Sequence, residues 1–179
     1  MLIPQMPAEF VSAPRDQVFD LAHKYLEDVF KGRYLDDEDE ALRALPLPLS
    51  DYWVLQWLDY EVVQGGLATY FINCHGRQAH LAINALRRCG AEDVAKCLEK
   101  AHSVVSKHKA AWENRNRDLD AAGEYAIVQP FQDLDGIEEL RSVAERFDQL
   151  WFDKKPDWRE LVNDSLQSFR RDLTQKTLP

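Results

Sequence analysis

Apolar residues recur at helical spacing along nearly the whole chain, and few stretches alternate apolar with polar residues. That pattern buries one face of a helix and gives a strand no consistent face. Val18, Ala22, Tyr25, Leu26 and Val29 form one such stripe, on a helix expected over 15–31, with Pro14 before it and Gly32 after it. Proline suits a first helical turn, and glycine suits a helix stop. Ser50 reads as the N-cap of a long helix whose apolar residues include Trp53, Val54, Trp57, Leu58 and Val62. That helix should stop or kink at Gly65-Gly66, with a short helix over 67–74 behind it.

Further helices are expected over 77–89, from 91 to 112 or beyond, over 138–151, and from Pro156 onward through Trp158, Leu161, Val162, Leu166, Phe169 and Leu173. Gly90 reads as the residue just past a helix end. A short helix, started by the acidic run and completed over 41–45, should end at Pro46-Leu47-Pro48. The polar stretch 114–130 has no clear period, and Asp135-Gly136 reads as a turn. The fold class is therefore all-α: a single compact multi-helix domain over residues 1–179, with an N-terminal helical extension. Only 7 glycines are present, which also disfavours a turn-rich all-β protein.

Five Trp, eight Phe and six Tyr in 179 residues can form a substantial core, so wholesale disorder is disfavoured. The net charge is −9. Phosphate backbones and anionic membrane surfaces repel such a chain, so neither direct nucleic-acid binding nor membrane binding is expected. The start of the sequence shows no signal peptide, and no apolar run nears the roughly 18–20 residues that span a bilayer. Cys74, Cys89 and Cys97 form neither a CxxC pair nor an even set, which argues for a reducing, cytoplasmic setting.

The charge is segregated. Residues 1–60 carry 12 acidic and 5 basic side chains, whereas residues 61–130 carry 8 and 9. Asp36, Asp37, Glu38, Asp39 and Glu40 are consecutive. A second cluster holds Asp118, Asp120, Glu124, Asp133, Asp135, Glu138 and Glu139. An acidic run usually starts a helix or stays solvated. Duplex DNA carries one charge per ~1.7 Å of axis. Carboxylates at one or two per helical turn of ~5.4 Å approximate that density. These twelve residues are the candidate contacts for a basic protein partner.

Catalytic patterns are missing. Cys74-His75 pairs a nucleophile with a base by identity, but sequence neighbours seldom align for that work. His75, His80, His102 and His108 show no metal-ligand spacing, and there is no phosphate-binding glycine loop and no Gly-x-Ser-x-Gly elbow. No enzyme activity, metal or cofactor is expected.

The most distinctive stretch is Tyr60 to Gly76, a helix, Gly-Gly, helix, Gly arrangement. One of the two glycines should supply a positive φ or a close backbone approach. Tyr70 and Phe71 should pack beside it, Asn73 should cap backbone groups, and Glu61 should accept from the backbone of the following loop. This stretch resembles the core motif of the bacterial family typified by DNA-mimic protein nineteen. Glu61, Val62, Gly65, Gly66, Tyr70, Phe71, Asn73 and Gly76 carry the resemblance. Ala82 to Leu86, Gly90-Ala91, Leu98 and Ala101 extend it, with Phe147-Asp148, Leu150 and Trp151 matching more weakly. The similarity covers about residues 50–155. Val63-Gln64 stands where the family has Asn-Asn, and Leu67 where it has an aromatic. The resemblance implies an all-helical fold and an acidic homodimer that occupies the DNA-binding face of a transcription factor. Fold transfers more safely than function, because surface carboxylates vary more freely than a fold motif. The alternative is a helical interaction or dimerisation module whose binding surface is apolar.

Overall fold

A computed structural model describes residues 6–32, 36–74, 77–121, 137–153 and 157–177. It describes no side chains at 36, 37, 74, 109–121, 161 and 174–177. Every regular element among the described residues is helical, as the spacing predicts. In chain order these are α1 (Ala8–Ser12), a 3-10 turn (Arg15–Gln17), α2 (Val18–Phe30), α3 (Asp36–Ala44) and α4 (Leu47–Cys74). They continue as α5 (Ala79–Arg88), α6 (Glu92–Ala121), α7 (Glu138–Asp153) and α8 (Trp158–Thr177). No helix among the described residues is long and apolar enough to cross a membrane.

Contacts divide the chain into two units, one formed by Met1–Leu55 with Asp157–Pro179, the other by Gln56–Pro156. In the first unit the expected stripe of α2 is buried: Val18, Ala22, Tyr25, Leu26 and Val29 all face the core. Phe30 stacks on Trp53 with centroids 4.3 Å apart, and Phe19 meets Tyr52 edge-on at 4.7 Å. Such pairs add about 0.5–1.5 kcal/mol beyond their burial. The N-terminal segment is tied to α8 through polar side chains. Gln167 donates to the Arg15 carbonyl at 3.0 Å, Arg170 donates to the Ala13 carbonyl, and Arg15 pairs with Asp164.

The start of α4 differs from the expectation. Ser50 is not its N-cap. The helix begins at Leu47, and the Pro46 carbonyl accepts from the Leu49 and Ser50 amides at 3.0 and 3.1 Å. Pro48 sits inside the first turn, where its missing N–H would have had no partner anyway. Ser50 is instead buried in the helix. Pro46 therefore opens a helix as well as closing α3.

In the second unit α5 packs on α6, and α6 on α7. Ala79, Ala82, Ala85, Ala95 and Ala101 are fully buried, and their small side chains let the helix axes approach closely. Leu86, Leu98, Phe147 and Leu150 on the same three helices are buried as well. Helix α5 ends as Gly90 predicts. The Gly90 amide bonds the Arg87 carbonyl at 3.0 Å, and the Ala91 amide bonds the Leu86 carbonyl at 2.8 Å. This double closure needs a left-handed residue between them, and Gly90 has φ 76°. Helix α6 runs on to Ala121, so the polar stretch after 114 is helical at least that far. The expected turn at Asp135-Gly136 lies outside the described residues.

Candidate functional site

The site most firmly built by the sequence is the break in α4. Gly65 has φ −169° and ψ 27°, with a φ open to any residue. Gly66 has φ 79° and ψ −179°, a combination that side-chain-bearing residues almost never adopt. Gly66 is thus the glycine that the break requires. It also permits close approach: a Cβ at 66 would lie 2.8 Å from Asp148 Oδ2.

Breaking a helix strands backbone groups on both sides. Both sides are served here. The Thr69 hydroxyl donates to the Gly65 carbonyl at 2.9 Å. The Leu67 amide, first of the second arm, donates to Asp148 Oδ1 at 3.1 Å. Asp148 therefore acts as an N-cap supplied from another helix, α7, where it meets the positive end of the arm's dipole. Burial pushes its carboxyl above the usual carboxylate range, while the Leu67 hydrogen bond pulls the other way.

One turn further along α7, the Trp151 indole donates to Asp59 Oδ1 at 3.0 Å, with both residues buried. Helix α7 thus holds the first arm of α4 through Asp59 and the second through Leu67. Phe147 stacks on Trp151 at 5.5 Å and fills the space beside them.

The two arms also hold each other. Asn73 Nδ2 donates to Glu61 Oε2 at 2.5 Å, across twelve residues of sequence. A straight helix would separate positions that far apart by about 18 Å, so the contact requires a sharp bend. Glu61 is buried. The sequence reading did not foresee this pairing of Asn73 with Glu61; the loop that follows, at 75–76, lies outside the described residues. Tyr70 and Phe71 are buried, ring against ring at 5.5 Å, and Phe71 stacks in parallel on His102 at 6.4 Å. Gly76 lies outside the described residues.

The acidic candidates are distributed over both units. Asp36–Glu40 form the start of α3 in the first unit, as anions at a helix N-terminus should. The side chains of Asp36 and Asp37 are not described. Glu38 accepts from the Trp53 indole at 3.2 Å, so this acid has a local structural partner. Asp39 is half-buried and Glu40 exposed. Asp118 and Asp120 lie on the last turns of α6 without described side chains, while Glu124, Asp133 and Asp135 lie outside the described residues. Glu138 and Glu139 are exposed in the first turn of α7, where Glu138 pairs with Arg141 at 3.3 Å. Arg87 and Lys96 of the middle segment engage nearby acids: Arg87 reaches Glu99 at 2.7 Å and Glu92 at 3.8 Å, and Lys96 also reaches Glu92.

Among the described residues, no group of three or more His, Cys, Asp or Glu is placed to hold a metal ion. Cys89 is buried, and desolvation pushes the Cys97 thiol up, the opposite of activation. His80 Nδ1 lies 3.0 Å from the Arg77 carbonyl, a local contact at the start of α5.

Two further features escaped the sequence reading. The pairing of Trp151 with Asp59 carried no local signal, and Trp57, expected among the apolar residues of its helix, is 36 % exposed. Tyr60 and Val63 beside it are 54 % and 57 % exposed. Trp57 and Tyr60 pack edge-on at 5.5 Å.

An all-α protein organised on a glycine-broken helix, capped across the break by an aspartate from a later helix, is the class that this geometry defines. A family model described as DMP19-like protein matches residues 43–165, and the chain belongs to that family. The match extends beyond the stretch of resemblance, 50–155, at both ends. No curated protein and no solved structure matches the chain.

Proposed function

We propose that this is a non-catalytic acidic protein that binds a basic protein partner, of the DNA-binding kind, by offering DNA-like negative charge. The observation that carries the reading is membership of the DMP19-like family across residues 43–165. The net charge of −9 supports it, as does the concentration of acids in segments either side of a near-neutral middle. Local pairing of Arg87 and Lys96 with Glu92 and Glu99 supports it further, since those cations are already engaged by neighbouring acids. On this reading the candidate contacts are Asp36 to Glu40, Asp118, Asp120, Glu124, Asp133, Asp135, Glu138 and Glu139. The protein works in the cytoplasm, without a cofactor and without touching nucleic acid or membrane itself. It acts as a homodimer.

Capture of partners from cell extract at graded salt tests this reading. Screening of exposed charge shortens from roughly 10 Å at 0.1 M salt to 3 Å at 1 M, so a charge-driven complex dissolves across that range. A basic protein retained at low salt and shed at high salt is the expected result. Recovery of no basic protein, or one that salt leaves bound, counts against it.

A second reading has its own observation. Trp57, Tyr60 and Val63 lie three residues apart down one side of α4 and are exposed. An exposed aromatic and aliphatic stripe suits an interaction or dimerisation module without DNA mimicry. Such binding would survive high salt and would be lost on replacing Trp57 and Tyr60 with serine.

A further inference from the structure

We draw no further inference here: the strongest candidate, the exposed Trp57, Tyr60 and Val63 side of the first arm of α4, carries nothing beyond the second reading above because nothing in the structure shows what covers it.

Discussion

The carboxylate of Asp148 accepts the backbone amide of Leu67 at 3.1 Å, closing the break in α4 from a residue 81 positions away. Removing that acceptor should destabilise the protein. Asp148→Ala should cost about 1 kcal/mol, the usual range for losing an N-cap. Asp148→Asn keeps an oxygen acceptor and sheds the buried charge. The folded-state pKa of Asp148 is raised, so its contribution to stability is full below the unfolded value and lost as pH rises through the folded one. Wild type should therefore lose ground to Asp148→Asn between roughly pH 3 and roughly pH 7. Urea denaturation of the three proteins at both pH values checks this. A wild type that gains on the asparagine variant as pH rises would contradict it.

The two glycines of the break should respond unequally. Gly66→Ala must adopt φ 79° with an extended ψ and press its methyl on Asp148 Oδ2. That conformation costs on the order of 1–3 kcal/mol for a residue with a side chain. Gly65→Ala has a φ open to any residue, and its nearest contacts are with the side chain of Thr69, which can rotate at the loss of its bond to the Gly65 carbonyl. Thermal melts should rank Gly66→Ala well below Gly65→Ala. Adding Asp148→Ala to Gly66→Ala should not restore stability, because the backbone strain remains.

The break was legible in the sequence because it is local: a glycine pair interrupts a strong helical period, and no other reading fits both. The apolar stripe of α2 was legible for the same reason. Asp148 and Trp151 stood out only through the family resemblance, since their partners Leu67 and Asp59 lie 81 and 92 residues away. Periodicity cannot pair helices. Trp57 was misplaced because the first arm of α4 is apolar nearly all round: Trp53, Val54, Leu58 and Val62 are buried, while Trp57, Tyr60 and Val63 are not. Ser50 was misassigned because a good capping residue outweighed Pro48, which a first turn tolerates.

The buried pair of Trp151 and Asp59 should be coupled. Trp151→Phe preserves most of the ring against Phe147 but takes the N–H away from Asp59 Oδ1. Leaving a buried acceptor short of a donor costs about 1–3 kcal/mol. Asp59→Leu combined with Trp151→Phe removes both ends, so the double variant should lose less than the two single losses added. Denaturation of all four proteins in a double-mutant cycle reads the coupling, and strict additivity would show that the hydrogen bond contributes nothing.

Acidic residues offered to a partner should be replaceable without unfolding the chain. Glu138 and Glu139 are exposed at the start of α7, where each anion favours the helix by about 0.3–1 kcal/mol. Glu138→Gln with Glu139→Gln should therefore lower the melting temperature slightly while weakening partner capture at low salt. Unchanged capture would remove these two residues from the contact surface.

The claim that acidity substitutes for DNA is tested most directly by competition. A captured basic protein is loaded onto its own DNA in low salt, and this chain is titrated in while the DNA-bound fraction is followed by gel mobility. The account predicts that DNA is released as the chain is added. Release should need a higher chain concentration once Asp36 to Glu40, Glu138 and Glu139 are neutralised, and should weaken with salt as surface charge is screened. A ternary complex that keeps the DNA bound, or release that neutralising the acids leaves unchanged, would contradict it.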